Sequence, residues 1–286
     1  MTELGIDIGL DSISLVETAR TMTGRKLLNF AVRELPWQPS GAAVTEALSD
    51  LISSIELHSK KAKISVWGDN IRAQFVRLPR LAESELLLLI KNHFDKLVPF
   101  PPSECIVDVE IINNEPDNNM NVLIVSSRKE HIASRITQLN DCGLVPAMIC
   151  TDGMALQKLF VSTKQHNPSK NYVILNITRS KATLVILKHS YPFFMTDLVA
   201  YGDIKTLAGK CLNIIETETE KHEAISIDEI YLSGDMSIIK DFEKYIHDNG
   251  AWISFRWSPV NELKDSTGLS HDNAVKLTMA LAISNA

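Results

Sequence analysis

The order of strand-like and helix-like segments near the start of the chain is repeated in its second half, and this repeat limits the choice of fold more than any other feature. Each unit has a strand, a tight turn, two more strands, an amphipathic helix and a further strand. The stretches from Asp7 to Gly68 and from Asn176 to Gly234 also have the same length, about 60 residues. Two related lobes, each a sheet with helices packed on it, are therefore expected.

Local patterns place the elements of each unit. Runs of apolar residues predict the strands, and apolar residues spaced by three or four predict the helix. In the first unit the strands are expected at 4–8, 13–18, 26–35 and 64–67, and the helix carries Val44, Leu48, Leu51, Ile52 and Ile55. In the second unit the strands are expected at 172–177, 182–187, 192–200 and 229–232, and the helix carries Ile204, Leu207, Ala208, Cys211 and Ile215.

A segment at about residues 80–150 has a pattern of its own. A helical stripe that begins at Leu86 is stopped by a proline-rich stretch, and residues 107–111 alternate between apolar and acidic, as in a strand with one solvated face. This segment is predicted to be a small α/β subdomain inserted in the first lobe. The expected domains are residues 1–162 for the first lobe with its insertion and 163–286 for a shortened second lobe.

Composition and charge exclude several classes of protein. Of the 286 residues, 45% are apolar and 22% are charged, as in soluble globular proteins. The net charge of -6 provides no positive field to hold a nucleic acid. The longest apolar run, Leu86–Ile90, is far shorter than the roughly 20 residues that cross a bilayer. The first residues lack the pattern of a secretory signal, so we expect a cytoplasmic protein that binds no nucleic acid and does not insert in a membrane by itself.

No arrangement of reactive residue types indicates a metal site or a catalytic centre. The four cysteines have no C-x-x-C spacing and the eight histidines include no H-E-x-x-H. The nucleophile and nucleotide patterns G-x-S-x-G, G-x-x-x-x-G-K-[ST] and G-x-G-x-x-G are also absent from the sequence. The sequence therefore predicts no bound metal of these kinds and no catalytic residue.

Four short stretches, taken in order, resemble those of a known family. They are Gly5–Gly9, Val76–Pro79, Val98–Phe100 and Cys142–Pro146, the last followed by Asp152. They look like the PilM family, actin-like cytoplasmic components of type IV pilus assembly, and MshI, the counterpart in MSHA-type pili, fits equally. The resemblance covers nearly the whole chain. It implies an α/β protein of the actin-like ATPase superfold, with two related sheet-plus-helix lobes, a small α/β subdomain inserted in the first lobe and a reduced second lobe.

The resemblance also implies where a nucleotide would bind. In such proteins the two strand turns clasp the nucleotide phosphates and Mg²⁺, because exposed backbone N–H groups bind oxyanions and a carboxylate holds the water shell of the metal. The residues at these positions, together with the glycine of the adenosine motif, are Asp7, Gly9, Asp11, Ser12, Asn176 and Gly234. The same residue types also suit ordinary turns, so a role in the fold alone is the other interpretation.

Several positions depart from the family pattern. Ser14 stands where the family carries a phosphate-contacting lysine, whose charge-assisted contact is worth about 1.5–3 kcal/mol. Asn176 brings no negative charge to Mg²⁺, and Thr178 is β-branched where a glycine would let the backbone approach phosphate. Asp235 adds a carboxylate near the phosphates, and the segment before Glu229 is too short for the subdomain that covers the adenine. The resemblance thus implies a degenerate site without ATP hydrolysis, for which ATP with Mg²⁺ is the candidate ligand.

The function that the resemblance implies is that of a scaffold in pilus biogenesis. The expected partner is the cytoplasmic tail of a PilN-type inner-membrane protein, docked as an extended peptide beside the inserted subdomain, so that the chain meets the membrane only through that partner. The sequence leaves open whether the chain forms homo-oligomers. The candidate wall of the groove consists of Leu78, Pro79, Leu81, Pro99 and Phe100.

Two alternatives stay open. One is an actin-like ATPase or small-molecule kinase that uses Asp7 with Mg²⁺, and it predicts a carboxylate at the second turn, where Asn176 stands. The other is a cytoplasmic scaffold of a type II secretion system, like that of GspL. A membrane span usually follows that domain, so the end of this sequence at Ala286 favours the PilM-like interpretation.

Overall fold

The structure is a computed structural model, and it describes residues 2–22, 24–36, 38–199, 203–221, 225–250, 252–266 and 269–286. The strands are β1 (Thr2–Ile8), β2 (Ser12–Thr21), β3 (Gly24–Glu34), β4 (Lys61–Val66), β5 (Ile71–Pro79), β6 (Cys105–Asn114), β7 (Asn119–Arg128), β8 (Val145–Thr151), β9 (Tyr172–Ile177), β10 (Lys181–Lys188), β11 (Tyr191–Val199), β12 (Glu229–Gly234) and β13 (Ser254–Arg256). The helices are α1 (Gly41–Ser53), α2 (Glu83–Asn92), α3 (Phe94–Leu97), α4 (Lys129–Asp141), α5 (Asp152–Val161), α6 (Ile204–Lys221), α7 (Met236–Asn249), α8 (His271–Lys276) and α9 (Thr278–Asn285). In the described ranges, no helix has the length and apolar character to cross a membrane.

The two lobes have sheets of the same topology. The first lobe has the strand order β3-β2-β1-β4-β8 and the second has β11-β10-β9-β12-β13. In both sheets the first three strands are antiparallel and the last two are added in parallel. The repeat predicted from the sequence is therefore present strand by strand.

Helices cover the outer face of each sheet with apolar side chains. In the first lobe, Ile6 and Ile8 of β1 pack with Leu48 of α1 and Leu139 of α4. In the second lobe, the equivalent face of the sheet packs on α6 and α7. The helices form where the sequence puts an apolar residue every three or four positions, since only this spacing gives a helix one apolar face.

The inserted subdomain is a three-stranded antiparallel sheet with helix α2 on one face. Its strand order is β5-β7-β6, so it runs from Ile71 to Arg128 rather than over about 80–150. The segment after Arg128 belongs to the first lobe, because α4 packs on α1 and β8 pairs with β4. The expected limits of the insertion therefore shift toward the N-terminus at both ends.

The last helix, α9, lies between the lobes and not on the second lobe alone. It packs on β1 and β2 of the first lobe and on α5, and it shares one apolar core with strands of both lobes. Its close contact with β1 occurs at Gly5. A Cβ atom at Gly5 would lie 2.2 Å from the carbonyl oxygen of Ala280 and 2.4 Å from the backbone nitrogen of Ser284.

Replacement of Gly5 by alanine is therefore expected to destabilise the protein. The clash is with backbone atoms of a buried helix, which cannot move aside as a flexible side chain can, so we expect a loss of about 3 kcal/mol or more in the free energy of unfolding. Chemical denaturation of the full chain measures this value. The matched control is Gly41→Ala, because a Cβ atom there would have only the amide of Gln138, at 3.9 Å, as a near neighbour. Equal stabilities of the two variants would contradict the packing argument.

Candidate functional site

Two equivalent turns face each other across the cleft between the lobes. In the β1–β2 turn the backbone N–H of Gly9 donates to the carbonyl of Ser12 at 2.8 Å, and in the β9–β10 turn the N–H of Thr178 donates to the carbonyl of Lys181 at 2.8 Å. Gly9 thus corresponds to Thr178, and Ser12 to Lys181. The lobes present the same backbone geometry to the cleft but very different side chains.

The predicted nucleotide-site residues gather around one small cavity at these turns. The cavity has a volume of about 110 Å³, whereas sites for small organic ligands usually have about 300–1,000 Å³. Gly9 lies in the adjoining turn and does not line it. The other five residues of the prediction, Asp7, Asp11, Ser12, Asn176 and Gly234, all line the cavity. Their role in binding a nucleotide stays a prediction.

The turn of the second lobe is closed by its own threonine. The Oγ1 atom of Thr178 accepts hydrogen bonds from the backbone N–H groups of Ser180, at 3.3 Å, and Lys181, at 3.1 Å. These are the backbone donors that an exposed phosphate-binding turn would present to an oxyanion. With both taken up by a side chain, the second turn is poorly suited to cradle phosphate.

Asn176 and Gly234 have structural roles that require no ligand. The buried Asn176 amide donates to the Ser233 hydroxyl at 2.9 Å. Gly234 has φ of +113°, and a Cβ atom there would lie 2.0 Å from the carbonyl oxygen of Ile177. A glycine is needed at this position because β12 passes directly against the end of β9.

Asp235 and its neighbours give the cavity an excess of negative charge. Asp235 accepts hydrogen bonds from the backbone and the hydroxyl of Ser237 as the N-cap of α7. Burial raises the pKa of Asp235, but the bonds from Ser237 and the nearby cations outweigh this and lower the pKa overall. The charged residues that line the cavity are the acids Asp7, Asp11, Glu34 and Asp235 and the bases Arg179 and Lys276.

A buried lysine lies behind this cavity, and sequence reasoning missed it. The side chain of Lys181 is 1% exposed, and its ammonium is bonded to Asp152, lies 3.9 Å from Oδ1 of Asp7 and sits 4.5 Å from the centre of the Trp67 ring. Burial lowers the pKa of Lys181, but the carboxylates of Asp152, Asp7 and Asp197 raise it overall. The one available signal was a lysine at the start of an otherwise apolar strand.

The carboxyl groups of Asp7 and Asp197 lie in surroundings that disfavour their charged form. Burial raises the pKa of Asp7 to about 6, against the lowering effects of Lys181 and Arg135. Burial and the charge of Asp152 raise the pKa of Asp197 to about 6 as well. Asp197 accepts hydrogen bonds from the Thr183 hydroxyl at 2.8 Å and from the backbone of Gly68 at 3.2 Å.

These residues do not fit a nucleotide with Mg²⁺. The cavity is small, two amides of the second turn are occupied, and the excess of carboxylates over cations on its wall disfavours the phosphates. No group of three or more His, Cys, Asp or Glu side chains in the part of the chain that the structure describes is arranged to hold a metal ion. The buried oxygen Oδ1 of Asp7 has no hydrogen-bond partner, and the nearest cation to it is the ammonium of Lys181.

The residues predicted to form a partner groove fall in two places. Leu78 and Leu81 are partly buried and pack on the core of the inserted subdomain, and Pro79 is exposed at the end of β5. Pro99 and Phe100 line a separate cavity of about 260 Å³ between the subdomain and both lobes. Leu78, Pro79 and Leu81 do not line this cavity.

Comparison with known proteins gives one family and one fold. A family model described as type IV pilus assembly protein PilM matches residues 5–207. The chain is similar to a PilM-PilN type IV pilus biogenesis complex, with TM-score 0.82 and 16% identity over 99% of this chain and 97% of that chain. It is also similar to a Bacteroides thetaiotaomicron protein with an actin-like ATPase fold, with TM-score 0.53 and 13% identity over 99% and 95% of the two chains. The cytoplasmic domain of EpsL, from the type II secretion system of Vibrio cholerae, has TM-score 0.56 and 10% identity over 100% and 94%. The predicted fold class, the actin-like ATPase superfold, is confirmed.

The raised pKa of Asp197 predicts a pH dependence of stability. Because its pKa in the folded protein is about 6, above the usual value of 3.8, the folded state holds this proton more tightly than the unfolded state does. The resulting contribution to stability is fully present below about pH 4 and is lost as the pH rises through about 6. The variant Asp197→Asn should therefore gain stability relative to the original protein between pH 4 and pH 7, as measured by urea unfolding across that range.

A surface substitution, Asp241→Asn on the exposed side of α7, controls for the loss of one carboxylate. We expect its unfolding curve to follow that of the original protein across the same pH range. A constant difference between Asp197→Asn and the original protein over this range would contradict the assignment.

Proposed function

Because the chain belongs to the PilM family of type IV pilus assembly proteins, we propose that it serves in pilus biogenesis as a cytoplasmic scaffold that binds the tail of a PilN-type inner-membrane protein. The family model covers well over half of the chain, so the prediction of a PilM-like protein is confirmed. The tail as partner, the position of its groove and the location beside the inner membrane are parts of the proposal. The structural similarity to a PilM-PilN complex supports the choice of partner.

The observation that carries the proposal is the cavity lined by Pro99 and Phe100. It lies where the inserted subdomain meets the two lobes, and its wall combines the ring of Phe100 with the exposed polar side chains of Asp69 and Arg72. An extended peptide is recognised by such a combination, in which an aromatic pocket takes one side chain and polar groups bind the peptide backbone. We place the tail of the partner in this cavity.

Two features of the cavity suit a charged or polar peptide. Arg72 is exposed on its wall and has no ion-pair partner among the described residues, and Asp69 and Asp197 line the same wall. The cavity thus offers groups of both charges to the tail. The ring of Phe100 is supported by the guanidinium of Arg128, which lies 5.1 Å from the ring centre. The aromatic wall is thus held in place before any partner binds, which reduces the entropy lost on binding.

We further propose that the chain works without ATP hydrolysis. A catalytic site would need exposed donors for the phosphates, and Thr178 occupies those of the second turn. It would also need a metal ligand where Asn176 is instead bonded to Ser233. Neither feature favours the alternative of an actin-like ATPase or kinase.

The variant Phe100→Ala is expected to weaken binding of the partner tail. The measurement is fluorescence anisotropy with a labelled synthetic peptide of the cytoplasmic segment of the PilN-type protein that works with this chain. Loss of a buried aromatic contact at the centre of an interface usually costs about 1–2 kcal/mol or more, so we expect Kd to rise at least tenfold. Arg72→Ala should also weaken binding, and its effect should shrink in high salt.

The control is Ile253→Ala, which removes an exposed apolar side chain, 62% accessible, next to β13 of the second lobe. It should leave Kd unchanged. Unchanged affinity in Phe100→Ala, or equal losses in Phe100→Ala and Ile253→Ala, would rule out this cavity as the docking site. Absence of binding by the original protein would rule out the proposed partner.

A further inference from the structure

Lys181 reaches from one lobe into the other. It is the first residue of β10 in the second lobe, and its ammonium is bonded to Asp152, which begins α5 at the end of the first-lobe sheet. Asp7 on β1 and the ring of Trp67 after β4 complete its surroundings, and both belong to the first lobe. The side chain is almost fully buried, so the contact joins the lobes in an environment from which water is excluded.

Two hydrogen bonds between the lobes accompany this contact. The hydroxyl of Ser180, next to Lys181 in the second turn, donates to Oδ1 of Asp11 in the first turn at 3.0 Å. The backbone N–H of Gly68 in the first lobe donates to Oδ2 of Asp197 in the second lobe at 3.2 Å. The two turns are therefore tied directly to each other, without any bridging ligand.

The charges explain why an ammonium suits this position. The carboxyl groups of Asp7 and Asp152 are buried beside it, and that of Asp197 also acts on it electrostatically. Arg135 is the other cation that acts on Asp7 and Asp152. Without Lys181 the closed cleft would bury several negative charges with little compensation, which is strongly unfavourable. In this relative position of the lobes the ammonium lies between Asp7 and Asp152, so the contact favours that position.

We propose that Lys181 replaces the phosphates and metal of a nucleotide as the group that holds the two turns together. The closed cleft is then a property of the ligand-free chain, and Mg-ATP is not a ligand of it. One change would then explain two observations. Because the chain's own lysine replaces a bound ligand, the lobes are joined by an ion pair and the cavity no longer fits a nucleotide. The proposal does not depend on which partner the protein binds.

The first test is thermal unfolding of the full chain with and without millimolar Mg-ATP. A ligand present at about 100 times its Kd would raise the melting temperature by several degrees in a protein of this size. We expect no shift. A reproducible rise would overturn the proposal, because it would show that the cleft still takes a nucleotide.

The second test uses the double variant Lys181→Met, Asp152→Asn. The double change removes the ammonium together with the carboxylate bonded to it and leaves Arg135 as the cation that acts on Asp7. Neutral replacement of a buried ion pair is usually tolerated by the fold. Hydrogen exchange measured by mass spectrometry should show the peptides over residues 66–70 and 178–184 exchanging about tenfold faster than in the original protein, because the lobes open more often. Exchange in α1, far from the cleft, should not change.

Lys170→Met is the matched control. Lys170 also forms a close ion pair, with Glu229, but both residues belong to the second lobe and Lys170 is 41% exposed. Its loss should leave exchange at the cleft unchanged. Unchanged exchange in the double variant, or equal acceleration in Lys170→Met, would show that Lys181 does not hold the lobes together.

Discussion

The close packing of α9 against β1 determines how the rest of the molecule is arranged. With no side chain at Gly5, the backbone of α9 reaches the surface of the first sheet, and the apolar residues of the helix then meet those of α5 and of the second sheet. The resulting core takes side chains from both lobes and from the inserted subdomain, including Leu123, Ile174 and Leu281. The lobes therefore share their largest core, and the cleft is the polar end of a single packed unit.

At that polar end, the two turns have the same backbone geometry but different side chains. Both turns have the same hydrogen bond across three residues, and the same sheet topology supports them. One turn keeps Asp7 and Gly9, while the other has Thr178 folded over its own amides and Lys181 buried against the opposite lobe. Differences of this kind decide what a site binds, because a fold fixes positions and side chains supply the charges and donors.

The repeat was readable in the sequence because each lobe is covered by amphipathic helices and has central strands with continuous apolar runs. The pattern of residues does not predict strand β5, because both of its faces are packed. Ala73 and Phe75 contact the core shared by the lobes, while Val76 and Leu78 contact the core of the subdomain. Apolar and polar residues therefore do not alternate along this strand. Strand β8 is at the edge of its sheet, with Val145 and Met148 exposed. It therefore lacks the buried apolar run by which the other strands of the first lobe are recognised in the sequence.

The sequence predicts where the turns of the candidate site lie, but not which side chains interact there. The positions of the two turns and of Gly234 follow from local signals, since tight turns after apolar strands have characteristic residues. The role of Lys181 depends on Asp7 and Asp152, which are far from it in sequence and near it only after folding. In the same way, the separation of Leu78 and Leu81 from Phe100 depends on how the subdomain packs.

The contact between Gly5 and α9 also bears on how the chain reaches its native state. Strand β1 is made before helix α9, and nearly all the other elements lie between them in the sequence. The inner face of the first sheet therefore has no final cover while the intervening residues are being added. Contacts between such distant residues form late, since a long loop must close before they stabilise anything. During synthesis the first lobe would thus expose apolar surface for longer than the second, and it is the part of the nascent protein that most needs protection from aggregation.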